Sequence, residues 1–358
     1  MKNKVLHIID NLCLGGAQRI VLTLVNENPN HELHYLRKNK DQMHHSEEYS
    51  FTDSSSKYNL KGLIDCLRFV KEYEPDIVHC HLLRSKITGL KLKLISRKDF
   101  KLVMHEHGEI WKDNHRYNVL LRYGNPLIDC HIAVSEHTSK LLQRKASVPK
   151  EKIKTVYNFV DRDEYNPEVL ESFESDLNLN RGAEFKDSFK VGYGGRLEER
   201  KGWETLVDVA ERIGDMEFLI SGSGTGEEIL RKKSNEIDNL YYLGFLEDVR
   251  TLFANVDCLV LPSKWDPSPM ILYEAQSCGV PLICTDTYSI NEIVEDSKNT
   301  LMFEPSDTEN LIDLLNKVRD DQQLKAKLSS NGVSNAKKFS YKAFRENLEN
   351  VYRDLTPK

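Results

Sequence analysis

Asp257–Glu292 reads DCLVLPSKWDPSPMILYEAQSCGVPLICTDTYSINE, and its pattern predicts the fold. A short apolar run, Cys258–Leu261, stops at a proline, and a polar loop with two further prolines follows. The segment MILYEAQS then ends at Gly279–Pro281, where glycine stops a helix and proline prevents its continuation. Strand, loop, helix and strand in this order predict a βαβ unit of a parallel sheet, whose ligands bind at the carboxyl ends of strands. The loop carries Asp266 and the helix carries Glu274, and the free N–H groups of the helix start suit a phosphate.

Length and composition indicate a soluble protein of two domains. A chain of 358 residues is too long for one ordinary core, and its 39% hydrophobic and 30% charged residues are typical of globular proteins. The sequence has no apolar run of eighteen residues, and its N-terminus passes directly into a strand pattern, so we expect neither a membrane span nor a signal peptide. Seven scattered cysteines without a CxxC pair favour a reducing, cytoplasmic location and argue against structural zinc.

The net charge of −6 is divided unequally along the chain. Residues 1–165 carry 27 basic and 21 acidic side chains and all twelve histidines, whereas the remainder carries 23 basic and 35 acidic side chains. Two parts with different surfaces predict two domains with different partners. The basic part is the better candidate for contact with an anionic surface.

The first part begins with a strand, Val5–Ile9, a turn containing Gly15 and Gly16, and a helix over Ala17–Val25. Glycine allows a phosphate or a sugar to approach the backbone closely. The turn does not match GxGxxG, the signature of dinucleotide-binding proteins. A tight connection and a ligand site are therefore both open interpretations.

Residues 84–101 read RSKITGLKLKLISRKDFK and contain seven basic side chains opposed only by Asp99. One interpretation is a surface helix with a solvated charged face. The other is an interfacial helix against anionic lipid, where each basic residue contributes roughly 1 kcal/mol.

Four histidines follow two neighbouring predicted strands. His79 and His81 end one of them, and His105 and His107 follow the next. This position favours ligand contact by one histidine and hydrogen bonding or packing by the others. No cysteine or carboxylate spacing supports a metal centre, so we expect none.

The second part repeats the pattern of strand, glycine turn and helix. After a strand over Phe189–Tyr193, Arg196 and Lys201 flank a glycine turn, and a cation pair beside a helix start suits a diphosphate. A solvated charged turn is the alternative. Two long helices, about 307–330 and 340–355, end the chain. We therefore predict an α/β fold of two successive doubly wound, Rossmann-like domains with parallel sheets that face a central cleft.

The combined motifs resemble the retaining glycosyltransferases of family 4, which have the GT-B fold. The resemblance covers nearly the whole chain and rests on the following segments: GGAQ at 15–18, PDIVHCH at 75–81, EHG at 106–108, AVSEHT at 133–138, GRLEERKG at 195–202 and DPSPMILYEAQSCGVP at 266–281. The last two segments together are the most specific.

The resemblance implies a role for each matching residue. Arg196 and Lys201 would hold the donor diphosphate, and Glu274 would bind the ribose of the nucleotide. Asp266 stands where the family usually has the first of two glutamates, so it departs from the pattern by one methylene group. The implied catalytic residues are His107, Asp266, Arg196 and Lys201. The implied donor-binding residues are Gly15, Gly16, Gly195, Arg196, Lys201, Gly222, Gly244, Phe245, Ser268, Pro269, Met270, Ile271 and Glu274. The implied acceptor-side residues are His81, His105 and Asn158.

The resemblance also implies a domain order. Residues 1–165 would bind the acceptor, residues 166–340 would bind the nucleotide sugar, and residues 341–358 would form a helix that packs back toward the first domain. The implied reaction retains the configuration of the anomeric carbon and uses no metal or other cofactor. Asp161–Asp163 spells DxD, a motif often tied to metal–nucleotide binding, but it falls at the predicted linker, so we interpret it as accidental.

The expected donor is a nucleotide sugar, UDP-linked, carrying a hexose or an N-acetylhexosamine. The expected acceptor is a glycan or a lipid-linked glycan of surface polysaccharide synthesis, with peripheral contact at the inner face of the cytoplasmic membrane and no nucleic acid. A GT-B epimerase or hydrolase of sugar nucleotides and a non-catalytic glycan-binding protein are the alternatives. A nicotinamide dehydrogenase would need GxGxxG, which neither glycine turn supplies.

Overall fold

The structure is a computed structural model of the chain, and it describes residues 3–13, 15–38, 48–52, 60–108, 115–173, 177 and 188–357. Two compact units are present, one formed by Met1–Asn158 with Phe344–Lys358 and the other by Phe159–Ala343. The boundary precedes Val160 and Tyr165 because both side chains are buried in the apolar core of the second unit. Residues 37–57 are polar and rich in Ser, Asp and Lys, which predicts a loop, and residues 162–188 are charged without periodicity, which predicts the linker. Most of the first segment and part of the second lie outside the described residues.

The first unit is built on a seven-stranded parallel sheet. Its strands are β1 (Val5–Ile9), β2 (His31–Tyr35), β3 (Ser50–Phe51), β4 (Ile77–His81), β5 (Lys101–Glu106), β6 (Cys130–Ala133) and β7 (Ile153–Thr155). Their order in the sheet is β3-β2-β1-β4-β5-β6-β7. The chain moves outward from β1 in both directions, which creates a topological switch point between β1 and β4. This order confirms the predicted parallel α/β fold.

Helices connect the strands of this unit. They are α1 (Gly16–Asn26), α2 (Leu60–Tyr73), α3 (Leu82–Ile95), α4 (His115–Gly124) and α5 (Glu136–Ala146). Ser135, a residue type that favours helix starts, caps α5: its hydroxyl accepts a hydrogen bond from the backbone N–H of Thr138 at 3.1 Å.

The second unit is built on a six-stranded parallel sheet. Its strands are β8 (Phe189–Gly194), β9 (Met216–Ser221), β10 (Leu240–Gly244), β11 (Cys258–Leu261), β12 (Leu282–Thr285) and β13 (Leu301–Phe303). Their order is β10-β9-β8-β11-β12-β13, so the switch point lies between β8 and β11. The strand and the helix predicted within Asp257–Glu292 have the expected bounds.

The remaining helices are α6 (Pro167–Glu171), α7 (Glu204–Arg212), α8 (Glu227–Glu236), α9 (Arg250–Phe253), α10 (Met270–Ser277), α11 (Thr308–Asp320), α12 (Gln322–Ala336) and α13 (Tyr341–Leu355). From Phe344 onward, α13 belongs to the first unit. The prediction of one helix over 307–330 is wrong, because one helix ends at Asp320 and a second begins after Asp321. The carboxylate of Asp321 accepts a hydrogen bond from the N–H of Leu324 at 2.9 Å and so begins a new helix.

The basic segment 84–101 is less solvated than either interpretation assumed. Lys86 lies on α3, is buried, and forms an ion pair with Glu106 at 2.5 Å. Lys93 and Lys101 both lie within 4 Å of Asp129, at 3.7 and 3.4 Å. The acidic partners come from distant parts of the sequence, so the local charge count overestimated the free positive charge. Among the described helices, none combines the length and the apolar character that crossing a bilayer requires.

Candidate functional site

The carboxyl ends of β8, β9 and β10 are joined by hydrogen bonds. The N–H of Gly195 donates to the carbonyl of Ser221 at 3.1 Å, and the N–H of Gly222 donates to the carbonyl of Gly244 at 2.8 Å. The hydroxyl of Tyr242 donates to the carbonyl of Gly222 at 2.8 Å. Three predicted donor-binding glycines are therefore brought together at one edge of the second sheet, where backbone groups can approach a ligand.

Two of these glycines are required for different reasons. Gly222 has a φ of 150°, and a Cβ atom there would lie 1.8 Å from the carbonyl oxygen of Gly195. Gly244 has a φ of 72° but open space around the position of a Cβ atom. Any other residue would therefore be strained at both positions and would clash only at Gly222.

Lys201 reaches this edge from a short 3-10 turn, Glu199–Lys201. The turn is held against the loop after β11, because the N–H of Lys264 donates to the carbonyl of Arg200 at 2.9 Å. The ammonium group of Lys201 forms an ion pair with Asp266, and their side chains are 16% and 6% exposed. Two predicted catalytic residues, 65 positions apart in the sequence, are therefore in contact.

Arg196 differs from Lys201 in its surroundings. Its side chain is 66% exposed and lies 2.9 Å from the carboxylate of Glu198. The hydroxyl of Tyr193 donates to the backbone carbonyl of Arg196 at 2.9 Å, which fixes the turn and leaves the guanidinium group at the surface. The solvated charged turn that was the alternative interpretation therefore describes Arg196 but not Lys201.

The helix α10 starts beside the same strand ends. A Cβ atom at Gly194 would lie 2.6 Å from the side chain of Ile271, so the absence of one allows the helix to pack against β8. Pro269 precedes the helix and provides no side-chain cap, and its carbonyl accepts from the N–H of Leu272 at 3.2 Å, so the N–H groups of Met270 and Ile271 are the ones that an anion could meet. Ser268 shares a hydrogen bond of 2.9 Å with the hydroxyl of Tyr273, and Glu274 is buried in the second turn.

Two serines that sequence reasoning missed stabilise or line the loop between β11 and α10: Ser263 lies within the loop, and Ser289 reaches it from the segment after β12. The hydroxyl of Ser289 donates to the carbonyl of Asp266 and thereby holds the loop in place. Ser263 is fully buried directly after the strand, and its hydroxyl has no hydrogen-bond partner among the described residues. Its position after Pro262, at a strand end, was the signal that could have identified it.

In the first unit, the turn with Gly15 and Gly16 is a tight connection into α1. The carboxamide oxygen of Asn11 accepts hydrogen bonds from the N–H of Cys13 and from the side chain of Gln18, both at 3.1 Å. A Cβ atom at Gly15 would lie 2.6 Å from the side-chain oxygen of Gln18. The small size of Gly15 therefore serves this internal contact.

Imidazole rings from four neighbouring strands, β2, β1, β4 and β5, meet near the switch point of the first sheet. We call this set the histidine layer, and its members are His7, His31, His79, His81, His105 and His107. Parallel pairing places Ile9 beside His81 and His81 beside His105, which aligns β1, β4 and β5. Alternation along β4 and β5 directs side chains two positions apart to the same face. Sequence reasoning found four members and missed His7 and His31, which lie on strands without a second histidine at the same edge.

Four rings of the histidine layer form a continuous chain of contacts. His31 Nδ1 lies 3.1 Å from His7 Nε2, and His7 Nδ1 lies 3.0 Å from His81 Nε2. His81 Nδ1 in turn lies 2.8 Å from His107 Nε2. His79 Nδ1 instead lies 2.7 Å from the hydroxyl of Tyr352, on α13.

Five rings of the histidine layer, those of His7, His79, His81, His105 and His107, are neutral at neutral pH, because burial lowers the pKa of each. Burial, followed by the charge of neighbouring rings, holds the pKa of His81 and His105 well below the usual value. Burial, followed by the charge of Lys86, lowers the pKa of His107 to about 3. Nitrogen atoms of His7, His79 and His81 lie within 4.8 Å of one another, and so do those of His81, His105 and His107. Neutral imidazoles this close together can donate and accept hydrogen bonds or bind an ion.

Two acidic groups of the first unit, Glu106 and Asp10, are held by partners of their own. Burial alone would raise the pKa of Glu106, but Lys86 and His131 hold it below the usual value. The carboxylate of Asp10 accepts hydrogen bonds from the N–H groups of Arg84 and Ser85, at 3.0 and 2.7 Å, at the start of α3. Both carboxylates therefore have structural partners.

The other predicted residues occupy simpler environments. Asn158 is buried at the end of the first unit, and Phe245 follows Gly244 with 51% of its surface exposed. In the DxD sequence, the N–H of Asp163 donates to the carboxylate of Asp161 at 3.0 Å. This local turn precedes α6 and fits the interpretation that the motif is accidental.

Comparison with known proteins identifies two family models along the chain. The model described as Glycosyltransferase Family 4 matches residues 14–164, and the model described as Glycosyl transferases group 1 matches residues 175–335. A UDP-Gal:alpha-D-GlcNAc-diphosphoundecaprenol alpha-1,3-galactosyltransferase of Escherichia coli is 27% identical over 286 residues, which cover 74% of this chain and 72% of that protein. An alpha-D-kanosaminyltransferase of Streptomyces kanamyceticus is 23% identical over 300 residues, which cover 78% and 77%.

A solved structure shows the same fold along the whole chain. Anabaena Alr3699/HepE, in complex with UDP and glucose, has a TM-score of 0.81 and 20% sequence identity and covers 99% of this chain and 100% of its own. Two parallel-sheet α/β units and the two adjoining family models agree with this likeness. The chain therefore belongs to the group 1 and family 4 glycosyltransferases, enzymes with the GT-B fold.

Proposed function

We propose that the chain transfers a hexose or an N-acetylhexosamine from a UDP-linked donor to a glycan or a lipid-linked glycan of surface polysaccharide synthesis. The observation that carries this proposal is the buried ion pair of Lys201 with Asp266 at the edge where α10 begins. A largely buried ammonium group near the first N–H groups of a helix is suited to a diphosphate. The carboxylate of Asp266 holds the cation in place before the donor binds.

The proposed reaction retains the configuration of the anomeric carbon. The bond from that carbon to the phosphate oxygen breaks, and a bond to the acceptor oxygen forms on the same face. The proton of the acceptor hydroxyl passes to the departing phosphate, so UDP and the glycoside are the products. Negative charge develops on the leaving diphosphate, and Lys201, Arg196 and the start of α10 stabilise that charge.

We propose that this reaction needs no metal ion. Lys201, together with the exposed Arg196, would supply the positive charge at the diphosphate, which is the role that a divalent cation has in other nucleotide-dependent enzymes. Asp161, which the DxD motif would require as a metal ligand, is engaged in a local turn. Activity that persists in excess EDTA is the expected result.

The choice of donor and acceptor follows the names of similar proteins. The Escherichia coli relative is named for UDP-Gal and for a diphosphoundecaprenol-linked acceptor, and the Anabaena structure contains UDP and glucose. A lipid-linked acceptor would bring this chain to the inner face of the cytoplasmic membrane. Leu94 and Ile95, at the end of α3, are 66% and 50% exposed, and Arg97 and Lys98 beside them are also exposed. This combination of apolar and basic side chains suits contact with an anionic lipid surface.

The test is a transfer assay with product analysis. UDP-, GDP- and ADP-linked glucose, galactose and N-acetylglucosamine are each incubated with a polyprenyl-diphosphate-linked sugar, with and without EDTA. We expect release of UDP that depends on the acceptor, and an α-glycoside by NMR when the donor is α-linked. Release of UDP without a glycoside would indicate a hydrolase, and a changed sugar without release of UDP would indicate an epimerase. No turnover and no binding of any nucleotide would contradict the proposal and favour a glycan-binding protein.

Membrane contact is tested separately by sedimentation with vesicles. The chain should bind vesicles containing phosphatidylglycerol better than neutral vesicles, and Leu94→Ser with Ile95→Ser should reduce that binding. Arg122→Ala, which removes an exposed charge on α4, is a control at a different surface. Equal binding to both kinds of vesicle would exclude this contact.

A further inference from the structure

We propose that His81, His105 and His107 form a binding site for one divalent transition ion of the zinc class. One nitrogen from each ring lies within 4.8 Å of the others. Neutral imidazole nitrogens are preferred ligands of zinc, nickel and copper, and three of them with one further position make a common zinc site. The three residues lie on β4, on β5 and directly after β5, so rigid strands hold two of them.

Unsatisfied nitrogen atoms within the histidine layer support this site. Both ring nitrogens of His105 and Nδ1 of His107 are buried and have no hydrogen-bond partner among the described residues. Buried polar atoms in folded proteins nearly always have a partner, so a ring that lacks one on either side points to a ligand. A buried core histidine in the ordinary sense has at least one hydrogen bond. His34 is such a residue, with Ser50 and Thr52 as its partners.

The spacing requires only a small adjustment. His81 Nδ1 and His107 Nε2 lie 2.8 Å apart. Two nitrogen ligands on a tetrahedral zinc ion are roughly 3.3 Å apart, given bonds of about 2.0 Å. The two rings would therefore separate by about half an ångström while His105 approaches, and the ion would replace their mutual hydrogen bond.

The rest of the chain of imidazoles provides the outer partners that zinc sites use. A ligating histidine normally donates its second N–H to a neighbouring acceptor, which fixes its tautomer and orientation. With the ion on Nδ1, His81 donates from Nε2 to His7 at 3.0 Å, and His7 donates from its other nitrogen to His31 at 3.1 Å. The contacts of His81 with His7 and of His7 with His31 therefore persist when the ion binds.

A second set of three nitrogens, from His7, His79 and His81, has similar spacing. Both nitrogens of His7 are already engaged with neighbouring rings, at 3.0 and 3.1 Å. An ion there would break the chain of imidazoles, so we assign the site to the set that contains His105. The buried cation Lys86 is paired with Glu106, which offsets its repulsion of an ion.

This site shares His107 with the implied catalytic residues and His81 and His105 with the implied acceptor side, but it does not rest on the proposed function. The ion takes no part in the transfer step, and its binding is measured without a sugar donor. Failure of ion binding would therefore leave the transferase proposal untouched, and failure of transfer would leave the ion site untouched.

The experiment uses the full chain without an affinity tag, stripped with EDTA and exchanged into metal-free buffer. Zn²⁺ is titrated by calorimetry, and Co²⁺ is titrated by visible absorption, which reports nitrogen ligands in a tetrahedral site. The background carries Cys13→Ser, because Cys13 is the one cysteine of the chain that is not buried. We expect one ion per chain and at least a hundredfold weaker binding in His105→Gln.

Two comparisons decide the ligand set. His34→Gln removes a buried histidine of the neighbouring strand and should leave the affinity unchanged. If His79→Gln abolishes binding and His105→Gln does not, the ion occupies the other set and the assignment is wrong. Equal affinity in all variants, or no saturable binding by the parent chain, would also overturn it.

A measurement on the parent chain avoids dependence on variants that fold poorly. Imidazole ¹⁵N resonances report ligation directly when Zn²⁺ is added. Shifts of the ligating nitrogens of His81, His105 and His107 at one equivalent are expected. Shifts confined to exposed histidines would contradict the site.

Discussion

The two units have the same architecture but present different chemistry at their strand ends. Near the β1–β4 switch point, the first unit presents six imidazole rings, of which those of His7, His79, His81 and His105 are buried. Near the β8–β11 switch point, the second unit presents glycine turns, a helix start and the ion pair of Lys201 with Asp266. One scaffold thus supports a site made of side chains and another made mainly of backbone groups and charge.

The difference teaches where each unit tolerates change. A site made of backbone groups depends on chain geometry, so glycines and hydrogen bonds between turns maintain it. A site made of buried side chains depends on protonation, because a neutral ring must remain neutral to stay in place. Steric changes should therefore damage the second unit most, and acid should damage the first.

The largest effect is expected for Gly222→Ala. A Cβ atom there lies 1.8 Å from the carbonyl oxygen of Gly195, and this backbone atom is held by the turn. The free energy of unfolding should fall by about 4 kcal/mol or more, as for other severe clashes and backbone strain. Denaturant unfolding of purified protein measures this change.

Substitutions at two further glycines should lower the free energy of unfolding by smaller amounts. Gly244→Ala introduces strain without a clash and should lower the free energy of unfolding by about 1 kcal/mol. Gly214→Ala, where a Cβ atom meets open space, should change it by less than about 0.5 kcal/mol. Equal effects at all three positions would show that packing at this edge does not depend on glycine.

The next largest effect is expected for Lys201→Ala on turnover. Loss of a fixed cation at a developing charge should lower kcat by about a hundredfold or more, which corresponds to about 3 kcal/mol in the barrier. The substitution also leaves the carboxylate of Asp266 buried without its partner, so its stability is measured alongside. The double variant Lys201→Ala with Asp266→Asn separates the two causes, since it removes the stranded charge.

Lys264→Ala is the matched control for this lysine. Its side chain is 40% exposed and lies 3.1 Å from Glu199, near the same loop. Its kcat should remain within about twofold of the parent, because an exposed ion pair contributes little. A similar loss in both variants would indicate a general effect of charge and not a specific diphosphate site.

A smaller effect is expected from the pH dependence of stability in the first unit. Burial lowers the pKa of His34 to about 4, although the charge of Asp65 acts in the opposite direction. Because the folded pKa lies below the unfolded value of about 6.5, the unfolded chain binds the proton first as the pH falls. Stability is therefore lost from about pH 6.5 downward, by about 2 kcal/mol between pH 6.5 and pH 5 for this one residue.

Denaturant unfolding in EDTA, at several pH values, measures this loss. In His34→Gln, the free energy of unfolding should fall with decreasing pH by about that much less. The second unit contains no histidine, so it cannot contribute to this loss. Parallel curves for the parent and the variant would show that His34 is not protected from protonation.

The smallest effect is expected for Asp266→Glu, which restores the residue that the family usually has. Asp266 is only 6% exposed and contacts Lys201, so one extra methylene group must displace either the loop or the lysine. A change of less than about tenfold in kcat/KM, or about 1 kcal/mol, is expected. A larger gain would show that this chain is adapted to a different donor, and the donor panel would identify which one.

The sequence predicted those features that follow from local pattern. Apolar runs and their breakers predicted β1 and β11, and the spacing from Asp266 to Glu274 placed the loop and α10 correctly. Contacts between distant segments were not predictable in this way. The burial of Lys86 depends on Glu106, the contact of Lys201 with Asp266 depends on how β8 pairs with β11, and the break at Asp321 depends on a single cap. Strand β2 was missed because HELHY mixes polar and apolar residues, although its last three residues are buried.

The chain of imidazoles from His31 to His107 has a consequence for proton positions. Each of its three contacts needs one proton, and four rings with one proton each supply four. The proton left over therefore lies at one end of the chain or at the other. Only two arrangements satisfy every contact, and conversion between them exchanges the tautomer of all four rings together. A molecule that accepts a hydrogen bond from His107 Nδ1 would therefore select the tautomer of His31, three rings away, on a strand that it does not touch.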